Sequence, residues 1–241
     1  MHLLIDNSNT LTKFALDLGG ELSEWRGVIA TSDLSKTSIQ NTLHSQTFER
    51  ITLCSVVPDS TILIKTIFDQ PIHHISHQSK MPITIDYPNP SKIGADRLAN
   101  ASAAILDRQG PAIVIDFGTA VTFDVISKIG SYLGGVIAPG TASLRDYLHQ
   151  KTALLPAIQL EEPNSIIGRS TEEAMQVGAV IGYRGLIREI LSELRRELGG
   201  TPTILATGGD AELIGKGITD IDISDQDLTM KGIQVIGRAN H

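Results

Sequence analysis

Three short turns in this chain combine carboxylates, hydroxyls and small residues. Asp6-Asn7-Ser8-Asn9-Thr10 closes the apolar run Leu3 to Ile5 and has Lys13 close behind it. Asp116-Phe117-Gly118-Thr119-Ala120 ends a second apolar run that starts at Ala112, and Thr207-Gly208-Gly209-Asp210 ends a third that starts at Pro202. Backbone N–H groups and hydroxyls in such turns can approach phosphate oxygens. A carboxylate at a strand end can hold Mg²⁺ through water, and a lysine supplies counter-charge. Phosphoryl transfer needs these parts plus a base for the nucleophile. Asp96, in Gly94-Ala95-Asp96-Arg97, is a candidate base, with Arg97 beside it as an anion clamp. Taken singly, each turn is equally an ordinary hairpin turn, and Asp96 is equally an acid that favours a helix N-terminus. Their joint occurrence favours phosphate chemistry. Neither the G-x-x-x-x-G-K-[ST] of a P-loop nor the G-x-G-x-x-G of a dinucleotide site occurs.

The elements that must position these residues follow from the pattern. Strands are expected at Leu3 to Ile5, Thr12 to Leu18, Trp25 to Ala30 and Ile51 to Val57, with helices at Asp33 to His44 (capped by Ser32 or Asp33) and Ser60 to Phe68. Met81 to Pro90 carries Pro82, Pro88, Asn89 and Pro90 and reads as an irregular loop before an alanine-rich helix, Gly94 to Leu106. Strands are expected again at Ala112 to Asp116, Val121 to Ser127, Gly130 to Ile137 and Pro202 to Ala206. Helices are expected at Thr141 to His149, over Thr171 to Gly199 with a break near Gly182 or Gly185, and near the C-terminus. The turns at Asp6 and Asp116 share one grammar: apolar strand, Asp, small-residue turn with Thr, returning strand. They stand 110 positions apart in a chain of 241, which suggests an internal duplication.

Composition narrows the class. The net charge is −7, with 41% hydrophobic, 20% charged and 4% aromatic residues, an ordinary globular balance whose core must rest on Ile, Leu, Val and Ala. The absence of a basic patch argues against nucleic acid. Arg188 to Arg196 alternates with Glu189, Glu193 and Glu197, the pattern of a solvated helix face with i,i+4 pairs. Cys54 is the one cysteine, so no internal disulfide forms, and it is expected to pack as a small hydrophobe. No signal peptide and no membrane-length apolar run is visible, so a cytoplasmic protein is expected. His73, His74 and His77 lack metal-helix spacing and read as surface or partner-facing histidines rather than a metal site.

In combination the motifs resemble type III pantothenate kinase, of the actin, sugar kinase and Hsp70 ATPase superfamily. The resemblance runs from about Leu3 to Gly209. It rests on Asp6 to Thr10 with Lys13, Ser55-Val56-Val57-Pro58, Tyr87, Gly94 to Arg97, Asp116 to Ala120, Gly134 to Gly140, Leu155-Pro156, and Ser170-Thr171 ahead of Gly178. It implies an α/β protein with a duplicated ribonuclease H-like, actin-like ATPase fold: two mixed-sheet halves with flanking helices, 1–112 and 113–241. The implied activity is ATP-dependent phosphorylation of pantothenate, the first step of coenzyme A biosynthesis.

The implied roles follow residue by residue. Asp6, Asn7, Ser8, Asn9, Thr10, Leu11, Thr12 and Lys13 would form the ATP phosphate loop, with Asp6 also holding Mg²⁺ through water and Thr119 contacting ATP. Asp96 would be the general base. Tyr87, Gly94, Ala95, Asp96, Arg97 and Thr171 would line the pantothenate pocket, with Arg97 facing the carboxylate. Asp116 would bind a monovalent cation, K⁺ or NH₄⁺. A homodimer is implied, with Thr171 acting across its interface, and neither nucleic acid nor membrane as partner. The chain departs from the family loop, Asp-x-Gly-Asn-Thr, at Ser8. Two other outcomes are compatible with the motifs: an actin-like kinase for another small hydroxy acid, and a non-catalytic regulatory relative that serves gene expression. The joint presence of Asp6, Asp96, Arg97, Asp116 and Thr119 argues against the second.

Overall fold

The computed structural model describes residues 1–106 and 110–241 and divides into two compact units. The first comprises Met1–Gln109, Gly130–Leu133 and Asp227–His241; the second comprises Gly110–Ile129 and Gly134–Gln226.

In the first unit, β1 (His2–Asn7), β2 (Leu11–Asp17) and β3 (Leu22–Ala30) form an antiparallel meander. The chain continues through α1 (Lys36–Leu43), β4 (Arg50–Ser55), α2 (Pro58–Ile67) and β5 (Ile72–His74). Then come β6 (Thr84–Ile85) and α3 (Ala95–Ala104). β4 joins β1 in parallel and β5 joins β4, giving the order β3-β2-β1-β4-β5. Every residue of β1 is buried, as a strand covered on both faces must be. Leu3, Ile5, Phe14, Leu16, Ile51 and Leu53 pack into one core with Ile39 and Leu43 of α1 and Ile64 of α2. Cys54 is buried, as a small hydrophobe should be.

The second unit repeats this plan. β7 (Ala112–Phe117) pairs antiparallel with β8 (Ala120–Ile126), followed by β9 (Ser131–Pro139), α4 (Thr141–Lys151), α5 (Thr171–Val177) and α6 (Tyr183–Leu198). β10 (Thr203–Thr207) lies parallel to β7 and is followed by α7 (Ala211–Gly215) and β11 (Ile223–Ser224), parallel to β10. The order β11-β10-β7-β8-β9 mirrors β5-β4-β1-β2-β3 strand for strand. Ile113, Ile115, Phe117, Val121 and Phe123 pack there with Val180, Tyr183, Ile187 and Leu191. The first three residues of β9 lie in the first unit, where Ser131 and Tyr132 pair in parallel with β6. The last helix, α8 (Leu228–Ala239), also belongs to the first unit and packs on α3 and β1.

Arg238 of α8 clamps Asp17, at the end of β2, through Nε (2.7 Å) and Nη2 (2.6 Å), and Gln234 donates to the same carboxylate (2.9 Å). Burial pushes the Asp17 carboxyl up, but its bonds from Arg238, Gln234 and Gly19 hold it below the usual range.

Several local expectations change. The cap of α1 is Ser35, not Ser32 or Asp33: Ser35 and Ser38 form a reciprocal capping box, and Thr31–Asp33 is a separate 3₁₀ turn. The stretch from Thr171 does not break at its glycines; α5 runs into a π-helical turn, Gly178–Gly182, and on into α6. The arginines of α6 reach beyond their own helix. Arg188 donates to the Gly217 carbonyl (2.6 Å) and Arg195 pairs with Asp220, while Arg196 pairs with Glu193.

Candidate active site

The Asp6 to Lys13 segment is the β1–β2 hairpin, with Asp6 opposite Lys13 and Asn7 opposite Thr12. Asp6 is buried at the end of β1, whereas Asn9 and Thr10 stand exposed at the tip. The turn closes through two donors from Ser8 to the Leu11 carbonyl, its N–H (3.1 Å) and its hydroxyl (2.9 Å). Among the described residues no non-glycine residue has positive φ, so Ser8 makes this turn without the left-handed backbone that would demand glycine.

A directed chain of polar groups braces the hairpin from below. The Ser55 hydroxyl, at the end of β4, donates to Asn7 Oδ1 (2.7 Å), and Asn7 Nδ2 donates to Thr12 Oγ1 (2.7 Å). The Thr31 hydroxyl donates to the Ser8 carbonyl (2.8 Å), so Thr12 must be the donor in the 3.1 Å bond between Thr12 and Thr31. Thr31 N–H also donates to the Thr10 carbonyl (2.9 Å). Each buried hydroxyl thereby has a partner, and the hairpin is held from both flanks.

Asp96 is the second residue of α3, with Gly94 at the N-cap. Its Oδ1 accepts the Arg97 N–H (2.8 Å). Burial raises its carboxyl above the usual aspartate value, against the opposing pull of the Arg97 N–H and guanidinium. The Arg97 guanidinium sits 5.8 Å from the centroid of the Tyr132 ring, and Tyr132 meets Tyr87 edge-to-face at 6.2 Å. A buried carboxylate, a guanidinium and a partly exposed tyrosine are therefore gathered in one unit.

In the second unit, Asp116 ends β7, half-buried, and Thr119 is exposed in the turn that follows. The strand ends of β7, β9 and β10 converge here. Gly140 N–H donates to the Thr119 carbonyl (3.1 Å), Asp210 N–H donates to the Phe117 carbonyl (3.3 Å), and the Thr141 hydroxyl donates to Asp210. Gly208 has φ +95°, and a Cβ there would lie 2.7 Å from Asp116 Oδ1 and 2.6 Å from Phe117 N. Only glycine fits, and its missing Cβ leaves room beside the Asp116 carboxylate. Thr171 opens α5, exposed, and lines a mainly apolar cavity of about 570 Å³ with Leu148, Leu155 and Met175.

The model of the family described as type III pantothenate kinase matches residues 2–193. The chain is 49% identical over 239 residues to a type III pantothenate kinase of Akkermansia muciniphila, covering 99% of both chains. The chain belongs to this family. A Moorella thermoacetica type III pantothenate kinase is 36% identical over the full length of both chains. The crystal structure of a Campylobacter jejuni protein assigned to the Baf family of transcriptional activators superposes with a TM-score of 0.64, covering 97% of this chain and 96% of that one. At 21% identity that likeness speaks for the fold alone. The fold is a duplicated ribonuclease H-like fold, with which the two matching strand orders agree.

For a type III pantothenate kinase family member, ATP and a divalent metal follow from the family. The donors fit. Asp6 in the first unit and Asp116 in the second each offer carboxylate oxygens, the ligand type of a hard divalent cation. Among the described residues no three His, Cys, Asp or Glu gather into a metal cage, so a divalent ion here would draw further ligands from phosphates and water. His73 instead bonds Ser79 (2.8 Å) and His74 lies 3.4 Å from the Lys65 ammonium. Among the described residues no helix is long and apolar enough to cross a membrane.

The first unit brings together Tyr87, Gly94, Ala95, Asp96 and Arg97, and it also holds the hairpin Asp6 to Lys13; Asp116, Thr119 and Thr171 lie in the second. Sequence reasoning missed Tyr132, Thr31 and the bracing role of Ser55. Tyr132 sits in an apolar stretch and carries no motif; only its pairing across β6 and β9 reveals it.

Proposed function

We propose that this protein transfers the γ-phosphoryl group of ATP to the 4′-hydroxyl of pantothenate, the first step of coenzyme A biosynthesis, with Asp96 as general base. The observation that carries this is a buried carboxylate with a raised pKa, held by the next residue's N–H and flanked by that residue's guanidinium. With Oδ1 held by Arg97 N–H, the second oxygen accepts the proton of the pantothenate hydroxyl as the phosphoryl group arrives. Arg97 receives the pantothenate carboxylate, for which its planar fork is suited. Tyr87, Gly94 and Ala95 line the acceptor pocket beside them.

The hairpin Asp6 to Lys13 holds the ATP phosphates through exposed N–H groups and hydroxyls at its tip, with Lys13 as counter-charge. Thr119 contacts ATP. Asp6 holds Mg²⁺ through water, and Asp116 holds K⁺ or NH₄⁺; these ions supply charge to the phosphates that a lysine-poor site lacks. The protein works in the cytoplasm as a homodimer, with Thr171 acting across the interface.

The test is ADP release from Mg-ATP and pantothenate, with K⁺, NH₄⁺ or Na⁺ as the monovalent ion. Release that requires pantothenate and is stronger with K⁺ or NH₄⁺ than with Na⁺ supports the proposal. Absence of pantothenate-dependent release with every ion removes it, and indifference to the ion removes the role of Asp116.

A further inference from the structure

We infer that Tyr132 is the positioning residue that sets the acceptor site's preference for a carboxylate, acting through Arg97. The inference rests on the proposal that Arg97 receives the substrate's carboxylate.

Tyr132 is fully buried, so it does not itself meet a substrate. What it does meet is the machinery. The Arg97 guanidinium carbon lies 5.8 Å from its ring centroid, within the range at which a cation is attracted to an aromatic face. Tyr87, 37% exposed, packs against it at 6.2 Å with the rings inclined by 63°. Both groups proposed to touch the acceptor therefore share one hidden partner.

That partner is itself fixed by more than packing. Thr84 N–H donates to the Gly130 carbonyl (3.1 Å) and Asp86 N–H donates to the Tyr132 carbonyl (3.0 Å). The hydroxyls of Thr84 and Ser131 are bonded at 2.7 Å. The short β6–β9 pairing thus sets Tyr132 opposite Ile85, two residues before Tyr87. An arginine side chain has several rotatable bonds, and ordering it on substrate binding costs entropy. A guanidinium already resting on an aromatic face loses less, and its fork is presented in one place. Tyr132 is then a selectivity residue without contact to substrate: it stabilises the Arg97 pose that a carboxylate can use and that an uncharged group cannot exploit.

The experiment compares kcat/KM for pantothenate with kcat/KM for pantothenyl alcohol, in which CH₂OH replaces the carboxylate. It uses wild-type protein, Tyr132→Leu, Tyr132→Phe and protein with pentafluorophenylalanine at position 132. The last keeps the ring's shape but reverses its quadrupole, and it remains informative if the leucine variant fails to fold. The acid-to-alcohol ratio is expected to fall roughly 3- to 30-fold in the leucine and pentafluoro proteins, the span of a cation–π contact, with the loss carried by KM for pantothenate. Tyr132→Phe is expected to restore the wild-type ratio. An unchanged ratio in the pentafluoro protein overturns the inference, as does equal loss for both substrates, which marks Tyr132 as a core residue only. A ratio lost in Tyr132→Phe also overturns it, because the hydroxyl and not the ring face would then be responsible. If wild-type protein turns over neither substrate, the proposed function itself fails; if wild-type protein works and the ratio does not move, only Tyr132's role fails.

Discussion

Gly94 leaves the Asp96 carboxylate the space it occupies: a Cβ at position 94 would lie 2.4 Å from Asp96 Oδ1. Backbone φ is not the reason, since Gly94 is an extended N-cap with φ −60°. The requirement is room. Gly94→Ala should therefore displace the carboxylate while α3 still forms. The expected result is a fall in kcat of at least about tenfold, a lost near-attack placement, with a circular dichroism spectrum like that of wild type. Wild-type turnover by Gly94→Ala would show that the Asp96 position is not critical.

Asp96→Asn should keep the Arg97 N–H bond and lose the base. General-base removal is worth about 10² to 10⁴ in rate. The kcat of Asp96→Asn should fall in that range, while pantothenate affinity, read by calorimetry, changes little.

The same carboxylate sets a pH dependence for catalysis. Burial raises its pKa above that of an ordinary aspartate. The base works ionised, so kcat should drop on acidification at a higher pH than an unperturbed carboxylate would give. The sign for stability is opposite. An acid whose folded pKa is raised contributes stability below its unfolded value and loses it as pH rises through the folded value. At neutral pH Asp96 is therefore a stability cost, and Asp96→Asn should melt higher than wild type at pH 7, with the advantage shrinking toward pH 4. A variant that melts lower at pH 7 would contradict this.

His2 predicts acid sensitivity elsewhere in the first unit. Burial, then the charge of His241, lowers its pKa from 6.5 to about 4, and it stays neutral against Thr52 Oγ1 at 2.7 Å. A base with a lowered folded pKa contributes stability that is present above pH 6.5 and is lost as pH falls through about 4. Discounted for the ring's partial access to solvent, the full loss is worth about 1–2 kcal/mol. Burial lowers His73 and His74 in the same sense. Urea unfolding should show this loss between pH 7 and pH 4, and His2→Gln should flatten the profile.

Arg238→Ala leaves the buried Asp17 carboxylate with Gln234 and the N–H groups of Gly19 and Gly20. Losing a charge-assisted fork to a buried acid should cost about 2–3 kcal/mol and loosen α8, measurable as faster amide exchange in residues 228–239.

The duplication was legible because Asp6 and Asp116 each end an apolar strand and begin a hairpin, a local pattern that survives in sequence. The same strand order in both units follows from it. Asp96 and Arg97 could be read as a proposed base and clamp because they are adjacent in sequence. What stayed hidden was non-local. Thr31 lies 23 residues from Ser8 yet braces its carbonyl. Tyr132 reaches Arg97 and Tyr87 only through a two-residue strand pair that no periodicity announces. The departure at Ser8 was readable as a sequence fact, but only backbone geometry shows that the turn needs no positive φ.

The most direct test of the account is to identify the product. Wild-type protein, Mg-ATP, pantothenate and K⁺ are incubated beside Asp96→Asn protein, and the reaction is followed by mass spectrometry and phosphorus NMR. The account predicts that wild type converts pantothenate to a single phosphomonoester at its 4′-hydroxyl, with one ADP formed per product, and that Asp96→Asn forms it at least about a hundredfold more slowly. No phosphorylated pantothenate from wild-type protein, or equal rates from the two proteins, would contradict it.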